Sequence, residues 1–254
     1  MSKMEIISWN INGIRTRFKN KEIDPIFSEI PDIILFQETK AKYEQLDSKL
    51  KNIDDYYSYF SPGQSTRAGG IAAFSKIKPQ LVKKFLDKPD DSLNGRVLNF
   101  TFDEFVLLHI YAPSGTGAKV NLEKKISFFD ELLKIAKKLA DKKVIVAGDF
   151  NIAHGEKDIS NPQDNQKSVN FLEKEREVLD KLEELGYVDS YRSLNTDKTE
   201  YSSWKSAKAK ETNEGARLDY FFVSKNLKES IKEATIMSDI EGSKHAPVKI
   251  VLDI

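Results

Sequence analysis

The chain has 254 residues and a mass of 29.0 kDa, enough for one large domain or two small ones. Hydrophobic residues make up 39% and charged residues 31%, which supports a sizeable core and excludes a disordered or low-complexity chain. Lys and Arg number 40 against 40 Asp and Glu, so net charge points to no polyanionic partner, although a basic rim around an acidic site would also sum to zero.

In chain order, apolar runs predict strands at Glu5–Trp9, Ile33–Phe36, Gly70–Phe74, Val97–Phe102 and Phe105–Tyr111. A helix follows, with Leu122, Ile126, Phe129, Leu133, Ala136 and Ala140 at spacings of three and four and lysines and acids opposite. Lys143–Ala147 reads as a strand. A second helix runs from Phe171 through Val178, Leu182 and Leu185, with Gly186 as its natural stop. Strands at Leu218–Val223, Glu233–Met237 and Pro247–Leu252 complete the series.

No internal repeat and no Pro/Gly/Ser-rich linker interrupts this pattern, so residues 1–254 read as one α/β domain. Some strands are close enough for hairpins and others are separated by helices, which implies mixed sheets. Val144-Ile145-Val146-Ala147 is apolar on both faces and needs helical cover. Two sheets face to face with helices outside satisfy every segment; a closed barrel is the alternative. The chain lacks cysteine, which excludes disulfides, thiolate metal sites and a cysteine nucleophile. No apolar run approaches the roughly 18 residues of a membrane span, and the start MSKMEIISWN lacks a secretory pattern. A cytoplasmic protein away from membranes is expected.

Polar residues stand where apolar strands end. The first strand stops at Asn10, the second at Gln37-Glu38, a later one at Tyr111 and another at Asp149-Phe150-Asn151. Asp219 opens a strand and His245 precedes the last one. Each residue alone has an ordinary reading as a turn, cap, solvated end or satisfied buried group; His109 and His154 keep that structural reading. So do the basic clusters Arg15, Arg17, Lys19, Lys21 and Lys205, Lys208, Lys210, as solvated charge. Brought together, the strand ends have a use. Glu38 is a hard oxygen ligand suited to Mg²⁺ or Mn²⁺, which would neutralise phosphate charge. Asp149 could take a proton from water, Asn151 could orient that water, and His245 on Asp219 would stay protonated as a phosphoryl donor. That is phosphoester hydrolysis.

Five ordered segments then resemble a known family: Ser8-Trp9-Asn10-Ile11-Asn12-Gly13, Leu35-Phe36-Gln37-Glu38-Thr39-Lys40, Tyr111-Ala112-Pro113, Gly148-Asp149-Phe150-Asn151 and Arg217-Leu218-Asp219-Tyr220-Phe221, closed by Ser243-Lys244-His245-Ala246-Pro247. The chain resembles the exonuclease III-type apurinic/apyrimidinic endonucleases of the endonuclease/exonuclease/phosphatase superfamily. The resemblance implies a four-layered α/β-sandwich. It also implies Mg²⁺-dependent cleavage of double-stranded DNA 5′ to abasic sites, leaving a 3′-hydroxyl, with 3′-to-5′ exonuclease or 3′-end repair activity. By motif position, Glu38 would hold the metal with Asn10 in support, and Asp149, Asn151, Tyr111, Asp219 and His245 would be catalytic. Arg96 would support the DNA-facing surface, and Lys40, Arg15, Arg217 and the late lysines would be phosphate contacts. A monomer is expected.

Departures gather on the substrate side. Lys244 stands at a usual aspartate, and a protonated lysine cannot ligate Mg²⁺; it could pair with Glu38 or Asp219 or grip a phosphate. Ser114 and Ser168 stand at asparagines of the phosphate site. Gly215-Ala216-Arg217 lacks the tryptophan of many relatives, a wall of the abasic pocket, and Arg67-Ala68-Gly69-Gly70 lacks a DNA-facing tyrosine. A wider pocket accepting an intact nucleotide or a 3′-terminal lesion would follow. Alternatives are a catalytically weakened nucleic-acid-binding regulatory relative, or a phosphatase of the superfamily. Retention of Glu38, Asp149 and Asp219 argues for an enzyme, and Trp204 with the Arg217 segment argues for the DNA-repair branch.

Overall fold

The structure, a computed structural model, describes residues 3–66, 68–89 and 93–254; Arg67 lies outside them. The strands are β1 (Lys3–Asn10), β2 (Ile33–Gln37), β3 (Tyr57–Ser61), β4 (Ile71–Ser75), β5 (Leu81–Lys83), β6 (Val97–Thr101), β7 (Val106–Tyr111), β8 (Val144–Asp149), β9 (Tyr187–Asp189), β10 (Ser203–Trp204), β11 (Gly215–Ala216), β12 (Asp219–Ser224), β13 (Ile231–Ile236) and β14 (Val248–Asp253). The helices are α1 (Ile14–Lys19), α2 (Asp24–Ser28), α3 (Ser48–Lys51), α4 (Lys119–Leu139), α5 (Pro162–Asn165), α6 (Glu173–Glu184), α7 (Ser190–Leu194) and α8 (Ala207–Glu211).

Two mixed six-stranded sheets form, in the orders β13-β14-β1-β2-β4-β3 and β5-β6-β7-β8-β12-β9. Each contains one parallel pair, β1 with β2 and β7 with β8. A parallel pair needs a crossover; α1 and α2 supply the first and α4 the second. The sheets face each other across Ile6, Leu35, Leu107, Ile145, Phe221 and Ile250, all buried. Outside the first sheet, Ile14, Ile26 and Leu50 pack with Trp9, Phe36 and Phe74. Outside the second, Phe129, Leu132, Leu179 and Leu182 pack with Leu108, Val146 and Phe222. The result is the four-layered α/β-sandwich. Each fully buried Leu or Phe contributes roughly 1.5–3 kcal/mol of hydrophobic stabilisation.

The strand expectations hold within a residue or two. Short elements escape the sequence pattern, because β5, β9 to β11 and every helix except α4 and α6 span too few residues to show a period, and β3 escapes it as a mostly half-exposed strand, YSYFS, without an apolar run. The α4 stripe also needs correction. Its buried residues are Lys125, Phe128, Phe129, Leu132, Ile135 and Ala136, not the set led by Leu122 and Ile126. A charged residue, Lys125, shares the inward face with these apolar side chains.

Lys125 is wholly buried and ion-paired with Glu175, equally buried on α6. The same ammonium donates to the carbonyl of Asn151 at 2.6 Å, to Asn170 Oδ1 at 3.3 Å and to the carbonyl of Ser114 at 3.4 Å. Glu175 Oε2 in turn accepts from the backbone N–H groups of Asn170 (2.8 Å) and Leu172 (3.0 Å), capping the start of α6. Burial pulls the Lys125 pKa down, and Glu175 opposes the fall. One ammonium thus ties two helices to three loops. Lys125→Met leaves a buried carboxylate without its cation and should cost about 3–5 kcal/mol, read from urea unfolding. The double variant Lys125→Met/Glu175→Gln, which keeps the capping oxygen, should recover part of that loss.

Candidate active site

Sheet registry brings the polar strand ends together. In the parallel pair β7–β8, Tyr111 lies opposite Asp149, and in the antiparallel pair β8–β12, Asp149 lies opposite Asp219. The approach of β7 to β8 requires glycine at 148: its φ is 137°, and a Cβ there would collide with the Ile110 carbonyl oxygen. Asn10 Nδ2 bridges the sheets, donating to Glu38 Oε1 at 3.1 Å and to Asp149 Oδ2 at 2.9 Å. Asn12, Glu38, Lys40 and Asn151 all hold left-handed backbone conformations, with φ between 48° and 54°. Side-chain-bearing residues enter that region at a cost, and such residues gather at functional sites.

Tyr111 donates from its hydroxyl to Glu38 Oε1 at 3.0 Å. Burial, then the Glu38 and Asp149 carboxylates, push its pKa far up, so the phenol keeps its proton. Glu38 is partly desolvated, yet hydrogen bonds from Lys40 and Asn10 hold its carboxyl below the usual range. Asp149 accepts from the Asn151 N–H at 2.9 Å. Its pKa is raised, chiefly by burial and then by the facing Asp219 carboxylate, with His245 and Asn10 offsetting part of the rise. Asn151 is itself fixed, its amide donating to the Ala112 carbonyl at 3.0 Å.

Asp219 Oδ2 takes His245 Nδ1–H at 2.8 Å and the Ser202 hydroxyl at 2.7 Å. Burial opposes charge on the imidazole, but Asp219 and then Asp149 overcome it and lift His245 to about 9. The imidazolium is therefore the form at neutral pH, with Nε2–H facing Ser203 Oγ at 3.1 Å. Trp9 Nε1–H donates to the His245 carbonyl at 2.8 Å, and Ser243 Oγ–H to the Asn10 carbonyl at 2.6 Å, fixing this last loop to β1.

The donor set fits a hard divalent cation. Glu38 and Asn10 offer oxygen, and a positive charge already sits on Glu38 in the form of Lys40 Nζ, 2.6 Å from Oε2. Among the described residues Asp219 Oδ1 is buried without a hydrogen-bond partner, close to the Asp149 carboxylate. A metal ion held by Glu38 would add to the positive charge that Lys40 and His245 already bring to these carboxylates.

Other expected site residues fall differently. Arg96 stacks over the Tyr111 ring at 5.0 Å and donates to the Tyr111 carbonyl at 3.1 Å. With Ser114 it lines a cleft of about 630 Å³. Lys244 and Trp204 line another cleft of about 620 Å³ with Asn12 and Ser243. Lys244 is exposed and makes no ion pair among the described residues, so the expected pairing with Glu38 or Asp219 is corrected; Lys40 and His245 hold those places. Trp204 is only 6% exposed and lies under Lys210, a wall rather than a stacking platform. Ser168 donates to Asn165 Oδ1 at 3.0 Å.

Arg217 is the largest correction. Expected at DNA, it is 1% exposed and sits between Asp158 (2.8 Å) and Asp189 (2.7 Å), over the rings of Tyr220 and Tyr191. A buried guanidinium needs carboxylates more than the surface needs a contact. Among the basic clusters, Arg17 is committed to Glu22 at 2.6 Å and Lys210 to Glu241 at 2.9 Å, while Arg15, Lys205 and Lys208 are exposed. Lys125 and Lys40, which do most to organise the site, were not distinguishable from surface lysines by spacing; the left-handed turn that aims Lys40 has no local sequence mark.

The chain is similar to known proteins. A model of the Endonuclease/Exonuclease/phosphatase family matches residues 7–238. The exodeoxyribonuclease of Bacillus subtilis (strain 168) is 34% identical over 255 residues, covering 99% of this chain and 100% of the relative. The DNA repair nuclease APEX1 of Danio rerio is 32% identical over 258 residues, covering 100% of this chain and 83% of the relative. An AP endonuclease structure from Archaeoglobus fulgidus shares the fold with a TM-score of 0.89 at 24% identity, covering 99% of this chain and 100% of that one. The chain belongs to the Endonuclease/Exonuclease/phosphatase family. It is a hydrolase.

The His245 state is directly measurable. Asp219→Asn should drop the imidazole from about 9 toward its ordinary 6.5, read as the pH midpoint of its ring-proton NMR shift. Because the folded value is the raised one, this group's stabilising contribution is full below pH 6.5 and disappears as pH rises through about 9.

Proposed function

We propose that this protein is a DNA-repair phosphodiesterase that cleaves duplex DNA 5′ to abasic sites to leave a 3′-hydroxyl, with 3′-to-5′ exonuclease or 3′-end repair activity. The observation that carries this reading is the pairing of a raised-pKa carboxylate, Asp149, with an imidazolium, His245, across one buried cluster. A base and a fixed positive donor on facing sides suit in-line displacement at a phosphate. Relatives named exodeoxyribonuclease and DNA repair nuclease support a DNA substrate.

In this mechanism Asp149 accepts a proton from the attacking water while Asn151 orients it. The water oxygen bonds to phosphorus and the bond from phosphorus to the 3′ oxygen breaks. His245 Nε2–H steadies the charge that grows on a non-bridging oxygen. Tyr111, kept as a phenol, donates to Glu38 and assists at the phosphate. Glu38, with Asn10, would hold a Mg²⁺ or Mn²⁺ ion, which when bound supplies Lewis-acid neutralisation of the phosphate. Arg96, Ser114 and Lys244 line the approach and serve as phosphate contacts, and the protein acts as a monomer.

The test uses labelled duplexes bearing one abasic-site analogue, a 3′-blocked nick, or neither. Incision 5′ to the analogue should require Mg²⁺, vanish with EDTA, and fall by at least about 10²-fold in Asp149→Asn, in the range of a lost general base. Absence of any metal-dependent cleavage would overturn the reading. Lys244→Ala should weaken DNA binding alike across sequences and reduce the slope of log affinity against log salt by about 0.9, one phosphate contact, measured by fluorescence anisotropy.

A further inference from the structure

Glu38 is surrounded by donors of two kinds. Oε1 accepts from Asn10 at 3.1 Å and from Tyr111 at 3.0 Å, both neutral, buried and fixed by the sheets. Oε2 accepts from Lys40, which is charged, half-buried and carried on a flexible four-carbon stem. The turn that aims Lys40 is rigid: Gly13 N–H donates to the Glu38 carbonyl at 2.8 Å, Thr39 N–H to Gly70 at 2.9 Å and Lys40 N–H to Gly69 at 3.0 Å. The backbone of the turn is hydrogen-bonded while the lysine stem has rotatable bonds, and its ammonium already has a second acceptor in Asn12 Oδ1.

An ammonium and a divalent cation on the same carboxylate oxygen repel each other, so each disfavours the other's binding there. From this geometry we propose that Lys40 is a displaceable stand-in cation, resting on the reading of Glu38 as a metal ligand. It neutralises Glu38 while the divalent cation is absent, gives up Oε2 when that cation binds, and passes its charge to a phosphate oxygen of the DNA. Without Lys40 the carboxylate would face the metal-free state unpaired. With it, metal must displace a cation, so metal affinity is held down. The released ammonium links the two ligands: metal frees a positive charge that phosphate uses, and by reciprocity DNA raises metal affinity by the same factor. Arginine, planar and bidentate on a carboxylate, would release less readily.

The test titrates Mn²⁺ calorimetrically, without DNA, into the wild type, Lys40→Met, Lys40→Gln and Glu38→Gln, following the binding component that Glu38→Gln removes. Both Lys40 variants should bind that Mn²⁺ at least about fivefold tighter, the lower end of ordinary coupling between sites. The metal-free melting temperature of Lys40→Met should fall below the wild type, and the gap should close in saturating Mn²⁺. In an Asp149→Asn background that blocks cleavage, Mn²⁺ should raise affinity for an abasic-analogue duplex with Lys40 present and do so by less than twofold with methionine there. Unchanged or weaker Mn²⁺ binding in both Lys40 variants overturns the stand-in role. If Glu38→Gln removes no Mn²⁺ component at all, the metal reading of Glu38 falls instead, a separate result.

Discussion

Two carboxylates sit opposite each other in neighbouring strands, Asp149 on β8 and Asp219 on β12, both nearly inaccessible to water. Like charges side by side in a buried sheet are unfavourable, and much of the site reads as the answer to that placement. Asn10 crosses from the other sheet to donate to Asp149, Ser202 donates to Asp219, and His245 is held as a cation between them. Burial first, and then the repulsion left over from Asp219, keep the Asp149 pKa raised. Reactivity at this carboxylate is therefore a residue of incomplete compensation, set by strand registry rather than by any special residue.

Holding that registry falls to groups behind the site. Gly148 lets β7 and β8 approach, Lys125 gathers the loops after both strands onto α4 and α6, and Arg217 locks the start of β12 to Asp158 and β9. Asp158 is held near 2, since burial is outweighed by the Arg217 guanidinium. These ion pairs are expensive to desolvate and add modest net stability, but breaking one leaves a stranded charge, so they resist alternative packings. Rigid support lets the left-handed turns at Asn12, Glu38, Lys40 and Asn151 persist at the mouth of the sandwich.

Much of this was legible in the chain. The long apolar strands and the polar residues ending them place Asn10, Glu38, Tyr111, Asp149, Asp219 and His245 at one end of the sheets, because a strand of alternating or continuous apolar residues marks its own end. Partnership was not legible. Lys125 interrupts an amphipathic helix and so looks solvated, Arg217 lies in a motif that implies a phosphate contact, and Lys40 lies two residues from Glu38 in a left-handed turn that has no local sequence mark. Buried charge is decided by tertiary neighbours, on which local periodicity carries no information. Strands of two or three residues, such as β9 to β11, are likewise made by the sheets that recruit them.

The balanced charge acquires a different meaning once these partnerships are known. Lys125, Arg217, Arg17 and Lys210 are cancelled by Glu175, Asp158 and Asp189, Glu22, and Glu241 inside or beside the fold. What the solvent meets is set by what remains, including Arg15, Lys205, Lys208 and Lys244, exposed beyond the core. Of the acids of the cluster, Asp149 and Asp219 are buried and Glu38 is half-buried; Lys40 and His245 supply countercharge and Asn10 a hydrogen bond. The zero sum over the whole chain therefore does not describe the charge at any one part of the surface. Net charge misleads whenever the ionised groups divide unequally between interior and surface, and in this protein the strongest pairs are interior.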